Sequence, residues 1–329
     1  METSEAGDDW RLRRRAERRR ERRRRRIAAV ALAVTVVTAA GGLVWVSAHE
    51  GARRSSVGGA QPGRPARPAA ATPRQATRRT HPTAARSRER IRPSAATVPI
   101  LMYHVIAPPP PTAPYPALYV PPAEFEAQMR ALAAAGYHAV TLDRVRAAWR
   151  GRARIPPRPI VITFDNGYRT QYTKALPILR RLGWVADENM QLSGLPPSQG
   201  GLSSRQVRGL LRAGWELDTQ GYSHAELIEL GPAQLHFEVA TARAMIRRRY
   251  HVAADWFCYP SGHYNATVIA AVKAAGYVGS TTVVPGWAAP NNDPYRLPRL
   301  RVVSGTSPRA LLDLIAGTRD AEAAPAAYP

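Results

Sequence analysis

The chain has 329 residues, 45% of them hydrophobic, and its 47 lysines and arginines against 24 acidic residues give a net charge of +23. That length allows one large domain or two small ones with a sizeable core, and the sole cysteine, Cys258, excludes an intrachain disulfide. The charge is uneven: twelve arginines lie between Arg11 and Arg26, whereas from Val98 onward 24 basic residues face 16 acidic ones, a balance that argues against nucleic acid as the partner.

In chain order, residues 1–26 form an arginine-rich tail, and residues 27–48 (IAAVALAVTVVTAAGGLVWVSA) carry no charge. About 20 apolar residues span the hydrocarbon core as a helix. Residues 27–48 are therefore expected to cross the membrane, with the arginines cytoplasmic and the remainder outside. The alternative is a secretory signal cleaved after Val46-Ser47-Ala48. Residues 49–97 are rich in Arg, Pro, Ala, Thr and Ser, cannot bury a core, and read as a disordered, extended linker. The folded domain is expected over residues 98–318, followed by a tail at 319–329.

Within that domain, strand-like runs alternate with helical ones. Residues 98–106 read as a strand, 125–135 as a helix ended by Gly136, and 138–142 as a short strand. The β-branched run PIVITFD (159–165) reads as a buried strand, and Tyr172 to Leu182 as a helix ended by Gly183. Strand VADENMQL, helix SSRQVRGLLRA, strand WELDTQG, helix PAQLHFEVATARAMIRRRY and strand WFCYP follow. Helix ATVIAAVKAA, strand YVGSTT, a strand near Leu300 to Val303 and a helix from Pro308 to Ile315 complete the series. About seven such units predict an α/β fold, a parallel sheet curled into a distorted (β/α) barrel.

Sites in such folds gather at the C-terminal ends of the strands. There the chain presents Tyr103-His104, Asp165-Asn166-Gly167-Tyr168, Asp218 with Gln220, Ser223 and His224, and Tyr259-Pro260-Ser261-Gly262. Four strands thus bring polar or aromatic groups to one rim. His263 follows in a loop, and Trp287 offers a flat ring for a sugar face.

Three of these segments together resemble the polysaccharide deacetylases, the NodB-type domain of carbohydrate esterase family 4. They are Thr163-Phe164-Asp165-Asn166-Gly167-Tyr168 against TFDDG, Gln220-Gly221-Tyr222-Ser223-His224 against H-(S/T)-x-x-H, and residues 257–265 (FCYPSGHYN) against F-x-x-P-x-G-x-Y. PILMYHVI and FEAQMRALAAAGYHAVTL resemble the opening of one branch, and the likeness covers roughly residues 98–305.

The resemblance implies hydrolysis of acetyl groups on cell-envelope glycan by water activated on a divalent metal, usually zinc. Carried over by position, Asp165 is the general base and His104 supplies the acid. Tyr259, Pro260, Tyr168 and Trp287 contact substrate. The metal positions fall on His224, Asn166 and Gln220, where the pattern has histidine, aspartate and histidine. Asp218 lies two residues before Gln220 and shares its strand face, so it offers a replacement ligand. Two neutral amides at metal positions also motivate a different reading, a glycan-binding protein without turnover.

Overall fold

The computed structural model describes residues 91–195 and 200–328. The expected cytoplasmic tail, membrane span and linker lie outside these residues, apart from the linker's last seven. No helix among the described residues is long and apolar enough to cross a membrane.

The buried strands form where β-branched and aromatic residues run without a break. β1 (Val98–Tyr103) is buried at all six positions. It pairs in parallel with β3 (Pro159–Asn166), from Ile100 opposite Val161 to Tyr103 opposite Phe164. Successive side chains point to opposite faces, and the two faces build two cores. Leu101, Tyr103, Ile162 and Phe164 pack against Phe125, Met129 and Leu132 of α1 (Pro122–Ala134) and Leu311 and Ile315 of α8 (Pro308–Gly317). Val98, Ile100 and Val161 face the other way, to Trp256 and Leu297. Aromatic contacts tighten the helix-facing side: Phe164 stacks on Trp215 at 5.1 Å, and Tyr103 meets Phe125 edge-on at 5.1 Å.

The sheet continues outward from β3 through β4 (Asp187–Met190), β5 (Glu216–Thr219), β6 (Trp256–Cys258) and β7 (Gly279–Thr281), all parallel. Short β2 (His138–Ala139) also pairs with β3, antiparallel β8 (Trp287–Ala288) caps β1 at Val98 and Pro99, and β9 (Leu300–Arg301) runs parallel to β1. The result is a curled, half-barrel α/β sheet. The expected parallel strands and their curl into a distorted barrel are present, with a single bridge, Thr281 to Leu297, joining β7 to the segment before β9.

The helices differ from expectation at three places. Residues 138–142 form only a two-residue strand, because Thr141 caps a helix the hydropathy pattern did not reveal, α2 (Leu142–Trp149). The helices expected at 172–182 and 232–250 each contain a π turn, at Gln171–Ala175 before α3 (Leu176–Arg181) and at Phe237–Thr241 between α5 (Pro232–His236) and α6 (Ala242–Tyr250). Such turns change which side chains face the sheet. The remaining helices, α4 (Ser204–Arg212, with a Ser203–Gln206 capping box) and α7 (Ala266–Ala274, capped by Asn265), stand as their patterns suggest. Both ends of the described chain dock on the fold. Trp149 Nε1 donates to the Ala96 carbonyl, and Tyr328 pairs with Tyr264.

Candidate active site

The C-terminal end of β3 organises the rim. Asp165 is 1% exposed and sits in register between His104, just past β1, and Asn189 on β4. Gln171 ties the neighbouring strand ends together, donating its Nε2 to the carbonyls of His104 (2.9 Å) and Asp165 (2.8 Å). The next residue, Asn166, has φ +78, a left-handed conformation that asparagine tolerates.

Asp165 is held by groups from three other strands or loops. Arg299 grips it with two parallel bonds, Nη1 to Oδ1 at 2.8 Å and Nη2 to Oδ2 at 2.9 Å. Asn189 Nδ2 donates to Oδ1 at 2.9 Å, and Cys258 Sγ lies 3.6 Å from Oδ2. Burial pushes the Asp165 carboxyl up, but the Arg299 charge and its hydrogen bonds outweigh this and hold it down to about 2. Burial lifts the Cys258 thiol to about 12, so it stays protonated.

His104 Nε2 is 3.9 Å from Asp165 Oδ2, and its buried Nδ1 has no hydrogen-bond partner. Burial pulls this imidazole down to about 4, over the opposing pull of Asp165, so it is neutral at ordinary pH. His224 lies near enough for its charge to disfavour protonation of His104. It has φ +57 and follows a loop clamped by Glu238, whose Oε2 accepts from the Tyr222 and Ser223 amides at 3.0 and 2.8 Å. His104, Asp165 and His224 are therefore grouped at one rim.

Asn166 and Gln220 bond to each other. Gln220 Oε1 accepts from Asn166 N at 3.1 Å and from Asn166 Nδ2 at 3.0 Å. A backbone N–H can only donate, so the atom facing it is the oxygen and the orientation of the Gln220 amide is fixed. This tests the divalent metal that the family resemblance implies. The acceptor oxygen Gln220 would offer is already committed to two N–H groups, Asn166 carries no charge, and Asp165 is committed to Arg299. A divalent cation of the zinc type does not fit at Asn166, Gln220 and His224.

Asp218 does not turn toward Gln220. Its Oδ1 accepts from Trp256 N at 2.9 Å, and it groups with Asp187 and Glu216, their ligand oxygens within 4.8 Å of one another. This is the one such cluster of acidic, His or Cys groups among the described residues. It lies toward the N-terminal side of β4 and β5, where the amides of Leu142 and Asp143 at the start of α2 donate to Asp187 and Glu216. Burial raises all three carboxyls; the Glu216 charge adds to the rise at Asp187 and Asp218, and the Asp143 charge adds to that at Glu216, which reaches about 7.

The residues expected to contact glycan are dispersed. Tyr168 is half-buried beside Asn166 and Gly167. Tyr259 is 1% exposed, stacks on Tyr264, and donates its hydroxyl to the Tyr295 carbonyl. Pro260 is buried beside Gly221. His263 Nδ1 pairs with Glu226 at 2.7 Å. Trp287 stands opposite Pro99, at the far end of β1 from His104, and donates Nε1 to the Ile315 carbonyl. Sequence reasoning missed Arg299 and Asn189. The available signals were a lone arginine among residues 297–300 (LPRL) and the polar run Asp187-Glu188-Asn189 inside a strand.

A family model described as polysaccharide deacetylase matches residues 152–280. The chain is 30% identical over 212 residues to "Putative polysaccharide deacetylase YxkH" of Bacillus subtilis, covering 64% of this chain and 74% of that one. Among solved structures, the Streptococcus pyogenes deacetylase PplD in complex with acetate superposes with a TM-score of 0.62 at 25% identity, covering 68% of this chain and 99% of PplD. The polysaccharide deacetylase BA0330 of Bacillus anthracis, described as putative, gives 0.60 at 25% identity, over 67% and 69% of the two chains.

Proposed function

This chain belongs to the polysaccharide deacetylase family, and from that premise we propose that it acts on acetylated cell-envelope glycan at the rim of β1, β3 and β5. The observation that carries the reading is the grouping of Asp165, His104 and His224 at one strand-end edge. Residues 27–48 anchor it in the membrane, with the arginine block cytoplasmic and the folded domain outside. Intact protein in the membrane fraction, with the domain open to added protease, checks the topology; a soluble product starting near residue 49 would mean a cleaved signal.

The reaction is removal of acetyl groups by water. His104, a neutral imidazole at this rim, takes the proton from the attacking water. Asp165, bound on both oxygens by Arg299 and ionised throughout, stabilises the imidazolium that forms, in place of the base role the family pattern implies for it. That proton then passes to the leaving sugar nitrogen or oxygen, and acetate departs. His104→Ala should reduce acetate release from acetylated amino-sugar polymer by about 10²–10⁴-fold, the usual contribution of a general acid–base group. Acetate is the readout, with chelator or zinc in parallel samples. Absence of release from every acetylated polymer would sink the hydrolytic reading.

A second reading, glycan binding without turnover, is motivated by the two amides. The Asn166–Gln220 pair occupies the metal positions, and free water has a pKa near 15.7 against about 7 for zinc-bound water. Retention on acetylated polymer with no acetate released selects this reading.

A further inference from the structure

We infer that Asn166 and Gln220 form a neutral reading head for an acetamido group, standing where the family pattern places a metal. The inference rests on the proposed glycan-directed function and assigns the recognition step to these two residues. The bonds between them leave two groups over. Gln220 Nε2 keeps its N–H donors and Asn166 Oδ1 its acceptor capacity; neither has a protein partner, and neither is sealed from solvent. An acetamido group carries the complementary pair, one C=O acceptor and one N–H donor. A cation at the same place would meet amide hydrogens of Gln220.

The head is held rigid from behind. Asn166 is fixed at φ +78 beside Gly167 at φ +86, and the Gln171 bond to the Asp165 carbonyl pins the strand end. The Gln220 backbone N–H is anchored to the Met190 carbonyl at 3.0 Å. Side chains ordered before binding lose little entropy when a ligand arrives. A mostly buried amide that meets a ligand lacking the matching group is left unpaired, and that penalty is the source of discrimination. Gln220 is 3% exposed, so its unpaired donors would be costly.

The test uses the full-length protein in detergent, with chelator present, and calorimetry against N-acetylglucosamine oligomers and their fully de-N-acetylated counterparts. The wild type should prefer the acetylated oligomer, and added zinc should leave its affinity unchanged. Gln220→Glu keeps an oxygen for both Asn166 N–H groups but replaces the outward donors with a carboxylate oxygen. It should bind the acetylated oligomer roughly tenfold more weakly or worse and gain affinity for the cationic one. Asn166→Gly, which accepts the positive φ, should also weaken the acetylated oligomer while circular dichroism stays unchanged. If wild-type binding needs zinc, or Gln220→Glu keeps the wild-type preference, the reading head is wrong while the glycan-directed function stands. If the wild type binds neither oligomer, both fall.

Discussion

Replacing Arg299 with leucine should lower the unfolding free energy by about 3–5 kcal/mol, the range for stranding one member of a buried ion pair. Arg299 and Asp165 are each 1% exposed, so neither finds water once its partner is gone. Arg299 also donates to Thr163 Oγ1 and the Thr282 carbonyl, and leucine leaves both without that donor. Asp165→Asn alone should be destabilising as well, since it leaves a buried guanidinium facing a neutral amide. The double replacement should lose less than the sum, with a coupling of about 2–3 kcal/mol. Urea unfolding of the four proteins, followed by tryptophan fluorescence, measures this. Additive losses would mean that the pair makes no specific contribution.

The same pair sets an acid limit. The folded Asp165 carboxyl, held down to about 2, lies below its ordinary value of 3.8. Its contribution is therefore present above about pH 4 and lost as pH falls toward 2. Asp165→Asn should flatten that acid limb.

Stability should also decline as pH rises from about 4.5 to about 7, and this is the second large effect. Burial, reinforced by Asp143, raises the Glu216 carboxyl from 4.5 to about 7. Asp187 and Asp218 are raised well above the usual carboxylate range by burial and then by Glu216. A raised acid binds its proton more tightly folded than unfolded, so the folded state loses ground once the unfolded carboxyl ionises. Glu216→Gln should stabilise the protein by up to about 3 kcal/mol at pH 8 and change little at pH 4. Thermal melts of both proteins across pH 3–9 test it. The wild type should melt highest near pH 4–5, between the two limbs. A cation seated among the three carboxylates would cancel the upper slope, so a melting temperature that drops on adding chelator at pH 7.5 would overturn this account.

Local pattern revealed much of the architecture. Unbroken β-branched residues marked β1 and β3, and glycines with positive φ at Gly136 and Gly183 close the helices they follow. The TFDNGY segment placed Asp165 at a strand end because a buried strand followed by Asn-Gly must turn there. Helix α2 escaped because only Leu142, Val145 and Ala148 are buried on it, too short a stripe among charged residues to announce a period. The fate of Trp287 was equally hidden. Its strand has two residues, and only antiparallel pairing with β1 puts it at the far end from His104.

The sequence by itself determined the alternation of strands and helices, the crowding of arginines ahead of Val98, and the residues available at each strand end. Those depend on interactions between neighbours a few positions apart. The tertiary structure alone decided which of those residues meet. Asp165 and Arg299 are 134 positions apart, Asn166 and Gln220 are 54 apart, and Asp218 joins Asp187 from the next strand. Strand register and sheet curvature set these meetings, and neither is written in any local window. The chain therefore showed two amides at metal positions, and the fold showed that they bind each other.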